Sequence, residues 1–247
     1  MRSQRISIEK LVVSLIVAGA LALVSGRPAG AQEAGGGAVL KENLDLPYDA
    51  RGEEEEEEEA PEIVVFYGQQ LEGDGFFYVV DKSGSMRDSG ELDVAKRELA
   101  RNIMEFSDNV QFGIVFFDVN LIKFPANGQP AEASPAMKSG AISWVQSVPG
   151  GSGSCCQQGL IAALQMANRA TSGRRVLVYL GDGGGTCQGA DEATYLNTTL
   201  SVVTASNYNR VQINTVGVLM NNAGSIQENF LRRLAAANGG TYKRIDR

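Results

Sequence analysis

From Glu62 to the C-terminus, short apolar runs alternate with longer segments in which apolar residues recur every three or four positions. That alternation constrains the fold more than any other feature of the chain. Phe76 to Val80 is apolar at every position, so both of its faces need burial, as in a strand of a parallel sheet. Ile63 to Tyr67 reads as a short apolar strand, Phe112 to Phe117, Val176 to Leu180 and Val211 to Val218 repeat the type of Phe76 to Val80, and Thr241 to Ile245 reads as a short last strand. Between the strands, Leu92, Ala95, Leu99, Ile103 and Phe106 form one apolar stripe of a helix with charges opposite. Residues 136–148, 157–170, 192–206 and 225–237 have similar spacing, and the last ends at Asn238-Gly239-Gly240, a helix-stopping signal. Glu72-Gly73-Asp74-Gly75 reads as the turn into the second strand. Strands alternating with helices need crossover connections, which predicts an α/β fold: an open, mostly parallel sheet covered by helices on both faces.

The first 31 residues read as an export signal. Arg2, Arg5 and Lys10 precede an apolar run from Leu11 to Val24, and Ala29-Gly30-Ala31 supplies small residues for cleavage. The run is short for a membrane-spanning helix; the other reading is an uncleaved anchor, the one route to membrane association. Residues 32–61 combine a Gly-rich stretch with the run Glu53 to Glu59 and few apolar groups, the composition of a disordered acidic linker. The remaining 62–247 form one domain. The expected location is exported: periplasmic, cell-surface or secreted.

The chain of 247 residues carries a formal charge of -7, and no basic patch gives a nucleic acid a footprint. It contains no histidine. That excludes Ser-His and Cys-His nucleophile pairs and every His-containing zinc site.

In open α/β sheets, ligands bind beyond the carboxyl ends of the strands. Directly after Phe76–Val80 comes Asp81-Lys82-Ser83-Gly84-Ser85-Met86, with a carboxylate and two hydroxyls at alternate positions. Such oxygens can converge on a hard divalent cation, and magnesium favours a few protein oxygens completed by water. Alternatively, Asp and Ser here merely cap a helix. A second loop, Gly150 to Ser154, offers Ser152 and Ser154, and a third places Asp182 after Val176–Leu180. A calcium EF-hand does not fit, since its glycine and terminal glutamate positions hold Met86 and Leu92. The glycines of the second and third loops lack a phosphate-binding ending and read as flexible loop glycines.

Asp81-x-Ser83-x-Ser85 resembles the metal-ion-dependent adhesion site (MIDAS) of von Willebrand factor type A (VWA) and integrin I domains. The resemblance covers roughly residues 62–247, including Phe230-Leu231-Arg232-Arg233-Leu234 and Gly239-Gly240-Thr241-Tyr242, and implies a Rossmann-like VWA fold. It implies a metal held by Asp81, Ser83, Ser85, Ser154 and Asp182, with Ser154 standing for the family's second-loop threonine and Ser152 as the alternative. Serine keeps the hydroxyl but loses the methyl that fixes the rotamer, which predicts weaker affinity.

The family implies a protein-binding or adhesion module of the cell envelope, not an enzyme. Its Mg2+, or Mn2+ or Ca2+, would accept an Asp or Glu carboxylate from a partner protein. One alternative is a structural protein whose metal only stabilises the loops. Another is a metal-assisted hydrolase, which needs a base such as Asp118 or Asp191. Cys155, Cys156 and Cys187 fall in or beside the second and third loops. In an oxidising compartment Cys187 is expected to pair with Cys155 or Cys156; otherwise all three are buried thiols.

Overall fold

The computed structural model describes residues 60–185, 187–189, 191–218 and 223–246. The expected export signal and nearly all of the expected linker lie outside the described residues.

Strand β1 (Glu62–Phe66) and β2 (Gln69–Gly73) form an antiparallel hairpin. The main sheet has its centre at β3 (Gly75–Asp81), flanked by β4 (Gln111–Phe117) and β7 (Arg175–Gly181), both parallel to it. Beyond β7 lie β8 (Gln212–Gly217) and β9 (Tyr242–Arg244), also parallel; beyond β4, β5 (Leu121–Phe124) and β6 (Ala131–Glu132) pair antiparallel. Order along the sheet is β5-β4-β3-β7-β8-β9, with β6 on β4. From β3 the chain moves first to one side and later to the other, so the strand order reverses at its carboxyl end. That switch point is where such sheets open a crevice for ligands.

The helices are α1 (Gly84–Asp88), α2 (Glu91–Glu105), α3 (Pro135–Ser147), α4 (Cys156–Ala167), α5 (Glu192–Ser206) and α6 (Ile226–Ala237). All seven residues of β3 are buried, as its continuous apolar run requires. Phe76, Tyr78 and Val80 pack with Leu92, Leu99 and Ile103 of α2 and Val145 of α3. On the opposite face, Phe77 and Val79 pack with Leu160 of α4, Leu200 of α5 and Leu231 of α6. Helices therefore cover both faces, as the alternation predicts.

Local chemistry sets the boundaries. Ser134, Asp191 and Ser225 cap α3, α5 and α6 by accepting from backbone N–H groups inside the first turn. After α6, Gly239 takes a left-handed φ of 71° and Gly240 N donates to Ala235 O, the stop read from the sequence. A correction applies at residues 72–75. Glu72 and Gly73 belong to β2, and the tight turn lies instead at Tyr67-Gly68, both at positive φ. Within β2 only Leu71 is both large and apolar, so the strand has almost no hydrophobic signature.

Candidate metal centre

β3 delivers Asp81 to the rim of the sheet at the switch point, and the chain then enters α1. Asp81 is fully buried and its Oδ1 accepts from Ser83 N at 2.7 Å, closing a tight turn. Ser83 occupies the cap position of α1, yet its side chain makes no capping bond. Its Oγ instead lies 3.1 Å from Ser85 Oγ. The hydroxyls thus face each other and not the helix amides, which is not what a simple cap would do.

The other two loops close on the same point. Ser85 Oγ donates to Asp182 Oδ2 at 2.5 Å. Ser154 Oγ is within 3.2 Å of Asp81 Oδ2 and 2.9 Å of the Gly184 carbonyl, while Gly184 N donates to Asp182 Oδ1 at 2.9 Å. All five residues read from the sequence therefore join in one ring of hydrogen bonds, closed through the backbone N–H of Ser83 and the backbone of Gly184. Ser152 does not join it: its side chain is exposed, and its backbone N–H donates to Asp118. Asp81, Ser83 and Ser154 form the buried floor, whereas Ser85 and Asp182 reach solvent.

Burial pushes the Asp81 carboxyl up to about 7, and the nearby negative Asp182 pushes in the same direction against the hydrogen bonds from Ser83 and Ser154. A buried carboxylate beside a second carboxylate is a place where a cation would relieve the cost of charge. Among the described residues there is no cluster of three or more His, Cys, Asp or Glu side chains suited to a metal. A donor set here therefore rests on two carboxylates and three neutral hydroxyls, a combination that suits a hard, partly hydrated cation such as Mg2+.

Several supporting residues carried no readable signal. Lys82, between Asp81 and Ser83, is buried and pairs with Asp118 at 2.8 Å. Although burial works against its charge, the Lys82 ammonium and the N–H groups of Asn120 and Ser152 hold the Asp118 carboxyl below its ordinary range. The second loop lies directly on this pair: Gly151 N donates to Lys82 O at 2.7 Å, and a Cβ on Gly151 would stand 1.8 Å from Asp118 Oδ2. The third loop is held from outside by Glu192, which accepts from Gly185 N and from Gln227 Nε2. A Cβ on Gly183, at φ 71°, would stand 2.9 Å from the Gln227 carbonyl. These glycines are required for close approach, a correction to their reading as merely flexible. Asp118 is committed to Lys82 and Asp191 to capping α5, so neither stands free as a base.

Cys155 and Cys187 form a disulfide, and Cys156 is a buried thiol. The bridge ties the residue after Ser154 to the short 3-10 turn Cys187–Gly189 that follows Asp182, linking the second and third loops.

No protein-family model matches the chain, and no curated protein compared with it matches either. Solved structures do. A von Willebrand factor type A protein from Catenulispora acidiphila superposes with a TM-score of 0.62 at 19% identity over 76% of this chain, which spans 46% of that protein. The vWF domain of the type V pili tip protein Mfa5 from Porphyromonas gingivalis gives 0.55 at 11% identity, covering 74% of this chain and 90% of that one. The pilus adhesin SpaC from Lactobacillus rhamnosus GG gives 0.56 at 14% identity, covering 72% and 28%. At these identities the likeness concerns architecture, and it agrees with the strand order and two-sided helix cover: the chain has the fold of von Willebrand factor type A domains.

Proposed function

We propose that the domain is a metal-dependent protein-binding module of the adhesion type, acting outside the cytoplasm. Asp81, Ser83, Ser85, Ser154 and Asp182 would hold one divalent cation, Mg2+ or alternatively Mn2+ or Ca2+. When bound, the cation supplies a Lewis-acidic position for an Asp or Glu carboxylate of a partner protein. The observation that carries this reading is the ring of contacts joining Asp81, Ser154, Asp182 and Ser85 across three loops. Three of the five donors are uncharged, so the bound ion would keep much of its positive charge for an incoming acid. Ser85 and Asp182 lie at the solvent side, where a partner can approach. The pilus adhesin and pilus tip protein that share the fold support an envelope or surface location and a binding role over turnover.

The test is capture from envelope extract on residues 62–247, with Mg2+ and with chelator, alongside Asp81→Ala. Capture is expected only for the unaltered chain with metal. A partner held equally under chelator and by the variant would refute the reading. Stabilisation by metal with no metal-dependent partner would favour the purely structural alternative.

A further inference from the structure

The parallel strands β7 and β8 begin at the end of the sheet opposite the metal centre, and a cavity of about 310 Å3 lies there, lined by residues from both starts. Arg174, Arg175 and Arg210 stand in its wall, and Glu72 is the one acidic residue among the described residues that line it. Glu72 pairs with Arg174 at 3.6 Å, but both side chains are more than half exposed, and pairs of that kind contribute little. Arg175 meets no carboxylate among the described residues. Its Nη1 donates to Ala167 O at 3.4 Å and its Nη2 to Asn209 O at 3.5 Å, long contacts that leave most of its donor capacity unspent.

Arg210 adds a second, independent observation. Its φ is 53°, in the left-handed region that a bulky side chain enters only at a cost. The neighbouring chain holds it there. Buried Asn207 accepts from Val211 N at 2.8 Å through Oδ1, and its Nδ2 donates to Val211 O at 2.7 Å and to Asn238 Oδ1 at 2.9 Å. Glycine or asparagine would take this φ more cheaply. What arginine brings instead is an exposed guanidinium that pairs with no carboxylate among the described residues. The cavity wall thus carries three permanent positive charges and one loosely held negative one.

We propose that this cavity is an anion site for a phosphoryl group, with Arg175 and Arg210 as its main ligands and Arg174 joining them as Glu72 lets go. Guanidinium groups present paired N–H donors in the geometry of phosphate oxygens, and charge-assisted bonds of that kind are the strong ones. The volume suits one tetrahedral anion and its immediate substituents better than a length of acidic peptide. Free phosphate and the phosphodiester of a lipid headgroup or envelope polymer share this chemistry. The site is independent of the metal centre, since none of the five proposed metal ligands lines it.

The test is calorimetric titration of the full chain with inorganic phosphate and with glycerophosphoglycerol, a soluble phosphodiester, both in chelator so that no metal can hold the anion. Arg210→Gly and Arg175→Gln are titrated beside it, and all three proteins are melted. Expected is binding of at least one probe that each variant weakens about tenfold or more, with the melting temperature of Arg210→Gly unchanged or raised because glycine accepts the left-handed φ. Tighter binding of inorganic phosphate would assign the site to free phosphate or a monoester, and tighter binding of the diester to a headgroup or polymer. Binding of neither probe, or equal binding by the variants, would overturn the inference. Weakened binding with a lowered melting temperature in Arg210→Gly would also overturn it, assigning Arg210 to the fold.

Discussion

Asp81 gives the sharpest prediction, because the fold and the proposed cation make opposite demands on it. Burial, reinforced by Asp182, raises its carboxyl from 3.8 to about 7 in the metal-free fold. Between those values the native state binds more protons than the unfolded chain, so stability must fall as pH rises from about 4 to about 7. Three units at 1.36 kcal/mol each give a loss of about 4 kcal/mol, a large share of the roughly 5–15 kcal/mol that holds an ordinary domain together. Asp81→Asn cannot ionise. In chelator at pH 8 the variant should be the more stable protein, by up to about 4 kcal/mol, and its stability should lack this pH slope. With Mg2+ the gap should narrow, since a ligand at 100 times its Kd adds about 2.7 kcal/mol and at 1,000 times about 4.1 kcal/mol to the unaltered chain and nothing to a chain that cannot bind it, so the two should become about equal only near the higher ratio. Urea unfolding followed by Trp144, the single tryptophan, which packs against Phe116 and Phe124, reads this directly. If chelated Asp81→Asn is the less stable protein at pH 8, Asp81 is a structural hydrogen-bond acceptor and the reasoning fails.

Two further outcomes follow from the loops. Denatured protein without reductant should show one titratable thiol, from Cys156, and three would refute the bridge; replacing Cys155 and Cys187 by serine should cost about 3–4 kcal/mol in urea unfolding, from closure of a loop spanning 32 positions. Lys82→Met leaves Asp118 buried without its cation and should destabilise by about 3–5 kcal/mol in the same assay, with Mn2+ binding weakened as the second loop loses its seat; a change below 1 kcal/mol would show that water already reaches the pair.

How much the sequence reveals depends on how many residues each feature uses. β3 is legible because seven buried positions in a row leave a continuous apolar run, and the Asp81-x-Ser83-x-Ser85 triplet stands out because it begins where that run stops. β2 is not, since a hairpin strand packed on one face needs only Leu71 and its neighbours. β5 is half-buried along its length and β6 has two residues, too few for a period to show. The choice between Cys155 and Cys156 was open because neighbours in sequence diverge by about 100° once a helix begins. Cys155 sits at the cap of α4, facing the third loop, and Cys156 is the first helical residue, turned into the core.

The support beneath the site escapes sequence reading for a different reason. Lys82 with Asp118, Gly151 against that pair, and Gly181 against Asp81 are contacts between residues about 30 to 100 positions apart, and no local pattern announces them. Each nonetheless acts on the same few oxygens. The buried pair sets the height of the second loop and hence of Ser154; the lack of a side chain at Gly181 lets Asp81 and Tyr179 pack into the same space; the disulfide and Glu192 fix the third loop and hence Asp182. A motif of three residues can suggest a cation site, but the geometry of the proposed site depends on these long-range contacts. On the reading proposed above, sequences sharing the motif without them should bind metal more weakly, and metal titration of Lys82→Met tests this at the seat of the second loop.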